Sequence, residues 1–368
     1  MTQREANSRV NTAAEAREVR AEDAIDVAAV DAWLRRSVLD LPPGLPAVKQ
    51  FPGGASNLTF LLSYVAPEAD EAGARDVVVR MPPRGTKAAS AHNMGREFEV
   101  QRRLQPHFPY VPTMLAYASA DDSPTGSEMY AMERAEGVIF RADFAIPVSS
   151  QQAHTLGREL FDLLAKLHAV DVSVAGLDDW YRGEGYVARQ IGGWSKRYRA
   201  ARTADVPDAE GVMAWLDAQQ PDDVGACLVH GDWRFDNVVL NPADLQVVAV
   251  LDWELATVGD PLMDLGAALA YWVQADDDAA FQAFRRQPSN APGMPTRAEI
   301  VDRYAQVTGR TVTNWTFYEV YGLFRLAVIV QQIWYRYVNG QTSNPAFAAF
   351  GPAVTYLIGR CERVIAAG

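Results

Sequence analysis

The chain has 368 residues, 49% hydrophobic and 22% charged, an ordinary globular composition with material for two domains and a sizeable core. Its net charge of −12 repels phosphate backbones and anionic membrane surfaces, so neither nucleic acid nor a membrane is an expected partner. Two cysteines, Cys227 and Cys361, lie far apart in the chain, which excludes a disulfide framework and a cysteine zinc site and suits a reducing, cytoplasmic location.

Residues 1–22 are polar, mixed in charge and without the apolar centre of a signal peptide, so they are expected to be disordered. The longest apolar stretches, 265–273 and 326–330, fall far short of the ~20 residues that span a bilayer. Residues 22–40 place Ile25, Val30, Trp33, Leu34 and Leu39 near helical spacing, and Pro42, Pro43 and Pro46 close that helix. A glycine-rich turn, Gly53-Gly54-Ala55-Ser56-Asn57, runs into an apolar strand over 58–65. A second strand covers 77–80 and is ended by Pro82 and Pro83. Residues 89–105 read as a helix with Met94, Phe98, Gln101 and Leu104 on one face; 113–119 and 128–133 read as two more strands.

After Gly137 the texture becomes helical. Ser149 and Ser150 can cap a helix carrying Leu156, Leu160, Leu163, Leu164 and Leu167. Thr296 and Glu299 form a capping-box pattern for a helix stopping at Gly309, and 314–338 reads as a long buried helix. Two short strands, 237–240 and 247–251, and loops at 203–210 and 287–295 complete the outline. The expected architecture is α+β: an antiparallel β lobe with one helix over 23–134, then a larger, mainly helical lobe over 135–368.

The strongest chemical signal is His230-Gly231-Asp232, then Asn237, then Asp252-Trp253-Glu254 at the end of an apolar strand. Phosphoryl transfer needs a carboxylate to accept the attacking hydroxyl's proton, and oxygen ligands for Mg²⁺. Asp232 can be that base, and Asn237 and Asp252 can hold the metal. Ordinary turn residues in two surface loops are the alternative; the spacing and an upstream phosphate clamp weigh against it. In that clamp, backbone N–H groups around Gly53, Gly54, Ser56 and Asn57 can approach phosphate oxygens. Arg80 stands where a kinase places its phosphate-holding lysine, with Glu97 as its ion-pair partner.

Other histidines show no metal-ligand spacing, and His168 reads as a helix-packing or capping residue. The match of 183–188 to a dinucleotide fingerprint lacks a preceding strand and is rejected. Residues 181–203 are unusual: six basic residues, Arg189, Lys196 and Arg197 among them, face one acid, with Tyr181, Tyr186, Trp194 and Tyr198 interleaved. Such a run is either a solvated helix face or an anion-binding surface with aromatic platforms.

These blocks, together with Gly185-Tyr186-Val187-Ala188-Arg189-Gln190 and the DWE block continued through Asp260 and Asp264, resemble the aminoglycoside phosphotransferase family over about residues 48–340. The nearest branch is the one found as the kinase domain of large acyl-CoA dehydrogenase homologues. The resemblance implies a protein-kinase-like two-lobed fold and Mg-ATP as phosphoryl donor. It implies Met132, Glu133 and Arg134 as the adenine-binding connection, and Asp260 and Asp264 as braces of the catalytic loop. It also implies a hydroxylated small-molecule acceptor, a hydroxyacyl-CoA thioester, contacted by Arg189, Trp194, Lys196, Arg197, Tyr198, Arg234 and Glu254. No dehydrogenase domain lies within these residues, so functional coupling to a separate acyl-CoA dehydrogenase is the expected partnership. An aminoglycoside, choline or sugar kinase and a non-catalytic ATP-binding module stand as alternatives.

Overall fold

Asp26 accepts the Ala29 N–H and opens helix α1 (Val27–Ser37), shorter than the expected 22–40 because the cap fixes its start. The computed structural model describes residues 15–52, 57–65, 75–83 and 93–368. Of the expected disordered stretch 1–22, residues 1–14 lie outside the described residues. Residues 15–22 are ordered: Arg17 and Gln50 exchange two backbone hydrogen bonds, and Asp23 accepts from both Arg20 and Gln50 side chains.

Five strands follow: β1 (Ala47–Gln50), β2 (Leu58–Tyr64), β3 (Arg75–Met81), β4 (Met114–Ala118) and β5 (Met129–Glu133). They pair antiparallel in the order β1-β2-β3-β5-β4. Helix α2 (Met94–Leu104) stands between β3 and β4 in the chain, capped by Asn93. Phe60, Leu62, Val77, Val79 and Ala131 pack with Val30, Trp33 and Leu34 of α1. Leu61, Val78, Tyr130 and Met132 face the other way, with Met94 and Phe98 of α2. Both faces of β2 and β3 are therefore covered. That is why the centres of these strands, Phe60–Leu62 and Val77–Val79, read as continuous apolar runs instead of alternating ones.

The remaining strands are short: β6 (Val138–Ile139), β7 (Cys227–Val229), β8 (Val238–Leu240), β9 (Val247–Val250) and β10 (Thr257–Gly259). Only β8 and β9 were expected from the sequence; the others are too short to show a period. β6-β8-β9 form one sheet and β7-β10 a ribbon, all antiparallel.

The chain divides into two compact units, Met1–Phe140 with Asp236–Ala256, and Arg141–Phe235 with Thr257–Gly368. The segment Asp236–Ala256 joins the first unit through β6-β8 pairing, the Val250 N–H to the Tyr110 carbonyl, and an edge-on contact of Trp253 with Phe108.

The second unit is helical: α3 (Ser150–His168), α4 (Tyr186–Ala201), α5 (Glu210–Ala218), α6 (Pro261–Leu269), α7 (Ala279–Gln282), α8 (Arg297–Thr308), α9 (Trp315–Val338) and α10 (Phe350–Ala367). The capping box expected at Thr296 and Glu299 forms, the cap expected at Ser149 is itself a capping box with Gln152, and α8 stops at Gly309. The long α9 crosses α6 at a glycine pair; a side chain on Gly322 would collide with the Gly266 carbonyl. Among the described residues no helix is long and apolar enough to cross a membrane.

Candidate active site

In the second unit, β7 is buried along its whole length and delivers the chain to His230, which is fully buried. Asp264, on the first turn of α6, accepts the N–H groups of His230 and Gly231, both at 2.9 Å. His168 Nε2 lies 3.2 Å from the same carboxylate, and its Nδ1 lies 2.6 Å from the Tyr304 hydroxyl. The carboxylate can only accept, so Nε2 carries the proton that faces it. Burial alone would raise the Asp264 carboxyl, but His168 and His230 hold it below the ordinary aspartate value. Asp260 caps α6 on Leu262 and Met263 and accepts the Val224 N–H; burial pushes its carboxyl up. The two aspartates thus fix opposite ends of the segment that carries β7.

Gly231 has φ +82°, left-handed backbone that a side chain would strain. The turn it makes lets the Asp232 N–H reach His230 Nδ1 at 3.2 Å. The Asp232 carboxylate keeps some exposure and pairs with Arg234 at 3.0 Å; the Arg234 guanidinium lies 4.6 Å over the Tyr271 ring. Arg234, expected beside the acceptor, is therefore a partner of Asp232 itself.

In the first unit, the β8–β9 hairpin sets Asn237 against Leu251, whose N–H donates to the Asn237 carbonyl at 2.8 Å. Asp252 is the next residue along. It holds φ +66°, a left-handed conformation that aspartate tolerates better than most residues and that often marks functional loops. Trp253 is buried and pins the turn by donating to the Val250 carbonyl. Arg80 on β3 reaches Glu97 on α2 at 2.5 Å and Asp252 at 3.3 Å. Glu97 is almost wholly buried; burial pushes its carboxyl up, opposed by Arg80, while Glu97 keeps the buried Arg80 charged. Arg80 Nε and Glu97 Oε2 have no partner among the described residues.

Two more links tie the same turn down. Asn57 donates to Glu254 at 3.1 Å, and Arg96 donates to the Ala256 carbonyl at 3.2 Å. So the Arg80–Glu97 pair expected from the sequence is joined with Asn57, Asp252 and Glu254 in one connected cluster. Gly53, Gly54 and Ser56 lie outside the described residues. Among the described residues no group of three or more His, Cys, Asp and Glu side chains could hold a metal. Asn237 and Asp252 instead offer two hard oxygen donors on adjacent positions. That suits Mg²⁺, which completes its shell with water and phosphate.

Met132 and Glu133 sit in β5 between β3 and β4, and the Glu133 N–H is already given to the Thr113 carbonyl. Of the three connection residues only Arg134 lies past the strand, its side chain paired with Asp76 at 2.7 Å and Glu136 at 2.8 Å.

The basic segment forms α4. Asp223 accepts the N–H groups of Gly185, Tyr186 and Val187, so the glycines of 183–188 make a helix entry. Arg189, Lys196 and Arg197 are exposed, and Arg197 lies 4.6 Å over Trp194. Tyr198 corrects the sequence expectation. It is fully buried, donates to the Pro207 carbonyl at 2.7 Å, and packs at a tilt against Phe324, so it is core and not a ligand platform. Arg199 is paired with Glu210. Sequence reading missed Arg325 on α9, which donates to the Gly231 carbonyl at 2.6 Å; the signal was a lone charge inside Leu323–Val330.

The model of the phosphotransferase enzyme family matches residues 47–300. Acyl-CoA dehydrogenase family member 11 of Rattus norvegicus is 34% identical over 339 residues, covering 89% of this chain and 42% of that protein. The chain spans less than half the length of the curated relatives it matches. A crystal structure from Ralstonia eutropha jmp134, described as a candidate aminoglycoside phosphotransferase, is 30% identical, with a TM-score of 0.77 over 93% of this chain and 98% of that one. A thermostable mutant of aminoglycoside phosphotransferase APH(4)-Ia, in ternary complex with AMP-PNP and hygromycin B, shares the fold at 17% identity and a TM-score of 0.53, over 88% of this chain and 94% of that one. The α+β, protein-kinase-like fold expected from the sequence is the fold of these structures.

Proposed function

The chain belongs to the phosphotransferase enzyme family, and on that premise we propose that it is a Mg-ATP-dependent kinase of a small hydroxylated metabolite, a hydroxyacyl-CoA thioester. One observation carries the nucleotide half of this reading. Asp252 stands in a strained turn, next to Asn237, in contact with the buried Arg80–Glu97 pair. A guanidinium whose Nε has no partner among the described residues and a carboxylate–carboxamide pair are what a triphosphate and its cation require. The AMP-PNP held by the APH(4)-Ia structure supports ATP as the donor.

In this reading Asp232 accepts the proton of the acceptor hydroxyl as its oxygen bonds the γ-phosphorus. The bond from that phosphorus to the β,γ-bridging oxygen breaks, and ADP leaves. Asn237 and Asp252 would hold Mg²⁺, which when bound neutralises phosphate charge. Arg80 orients phosphate oxygens, with Glu97 fixing the guanidinium. The Gly53–Ser56 backbone and the Met132–Arg134 connection take the rest of the nucleotide. Arg80→Met strands Glu97 as a buried unpaired charge. We expect it to lose about 3–5 kcal/mol of stability along with activity. Arg80→Lys keeps the charge but cannot reach Glu97 and Asp252 together; it should fold and lose about tenfold in kcat/KM. Thermal melts and steady-state rates test both, and an Arg80→Met variant of wild-type stability would contradict the pairing.

The acceptor half rests on α4. Exposed Arg189, Lys196 and Arg197 with Trp194 offer cations and an aromatic face to an anionic, adenine-containing ligand such as CoA. A polycationic aminoglycoside would be repelled there. The acyl-CoA dehydrogenase names of the relatives point the same way and support coupling to such a dehydrogenase. ADP release with Mg-ATP and a panel of 3- and 4-hydroxyacyl-CoAs, their free acids, an aminoglycoside and choline tests this. Turnover confined to the CoA esters is expected. Turnover with an aminoglycoside, choline or a sugar instead would keep the kinase and discard the CoA acceptor. Nucleotide binding without transfer to any alcohol would favour a regulatory module.

A further inference from the structure

Helix α9 buries nearly all of its central turns, and one charge stands among them: Arg325, in the run Leu323–Val330. Only 5% of Arg325 is exposed. A buried guanidinium is costly unless its donors and its charge are met. A leucine would fill the same helix position without that cost, so what the guanidinium touches is informative.

It touches the loop that carries Asp232. Nη2 donates to the Gly231 carbonyl at 2.6 Å, and the guanidinium lies 5.2 Å from the centre of the Trp194 ring. The peptide joining Gly231 to Asp232 is thereby held at both of its polar atoms. Its carbonyl is fixed by Arg325, and its N–H is fixed by His230 Nδ1 at 3.2 Å. Asp264 holds the N–H groups just before it. Three residues therefore set the backbone from which the Asp232 carboxylate projects, His230 from the loop itself, Asp264 from α6 and Arg325 from α9. Trp194 lies against Arg325 and also against the exposed Arg197. An indole in contact with two guanidiniums gives Arg325 a planar support and connects it to the surface of α4.

We propose that Arg325 is a positioning residue for Asp232: by holding the Gly231 carbonyl, with the Trp194 ring as its cation–π partner, it sets the direction of the base. The proposal rests on Asp232 being the base. A misplacement of reacting groups by about 1 Å can cost ~10²-fold in rate, so the effect belongs in kcat and not in nucleotide affinity. Lysine can still donate to the carbonyl but has no flat face for Trp194.

The full chain is tested as wild type, Arg325→Met, Arg325→Lys, Trp194→Leu and Asp232→Asn. Two readouts are used: hydrolysis of Mg-ATP with water as the acceptor, and amide hydrogen exchange by mass spectrometry over 228–236. Arg325→Met should lose on the order of 10²-fold in kcat with KM for ATP within twofold. It should also speed exchange in 228–236 and leave α6 and β2–β3 protected. Arg325→Lys should recover about tenfold of the lost rate, and Trp194→Leu should fall between them. If Arg325→Met does not fold, the lysine and Trp194 variants decide by the same two readouts. An Asp232→Asn variant that hydrolyses ATP at the wild-type rate removes the base and with it this proposal, whatever the exchange shows. An inactive Asp232→Asn beside an Arg325→Met of wild-type kcat and exchange overturns the positioning role alone.

Discussion

Asp232→Asn should lower phosphoryl transfer by about 10²–10⁴-fold while leaving Mg-ADP affinity within about twofold. The amide is nearly isosteric and cannot take a proton. The backbone that presents residue 232 is held by hydrogen bonds to Asp264, His230 and Arg325, none of which is made by the Asp232 carboxylate. Arg234 would lose its ionic partner but keep its place over Tyr271. Rate and affinity therefore separate. Steady-state kinetics and calorimetric titration with Mg-ADP measure the two independently. A variant that turns over normally would move the base elsewhere; one that also loses nucleotide would make Asp232 a structural residue.

Asp264→Ala should be strongly destabilising. It strands the N–H groups of His230 and Gly231 and removes the carboxylate facing His168, all in the interior. Breaking such a buried charged cluster costs about 3–5 kcal/mol. At ~2–4 °C per kcal/mol for a unit of this size, the melting temperature should drop on the order of 10 °C. The pH dependence has a definite sign. The folded Asp264 carboxyl lies below its unfolded value, so the native state binds fewer protons there. Its contribution is present above the ordinary aspartate pKa of about 3.9 and is lost as pH falls through the depressed folded value. Asp260, raised by burial, works in the opposite sense. Asp264→Asn should remove part of the acid-side loss of stability in denaturant titrations from neutral to acid pH. An unchanged acid profile would assign that loss to other carboxylates, such as the depressed Asp277.

Much of this arrangement can be read from the sequence, and the parts that cannot have physical reasons. The capping boxes at Ser149 and Thr296 are local: side chain and backbone partners sit three residues apart, so spacing alone identifies them. β2 and β3 are visible because both faces are buried at their centres, where Phe60–Leu62 and Val77–Val79 are apolar without a break. β7 and β10, three residues each, are too short for any period. Asp232, Asn237 and Asp252 stand out by spacing, but the meeting of Asn57 with Glu254, nearly two hundred positions apart, is a tertiary fact. Tyr198 misleads because it lies in a charged run; only the helix phase shows that it points inward while Arg197 points out. Arg325 is missed for the converse reason. It stands inside a run that reads simply as buried helix, and what it meets there, the Gly231 carbonyl of the loop that carries Asp232, is a tertiary contact.

The most direct test of the central claim is transfer of the γ-phosphoryl label from radiolabelled ATP to a hydroxyacyl-CoA. It is followed for wild type and Asp232→Asn side by side, in Mg²⁺ and in EDTA. The account predicts a labelled phosphoester product from the wild type in Mg²⁺ alone. Labelled product from Asp232→Asn at the wild-type rate, or transfer that persists in EDTA, would contradict it.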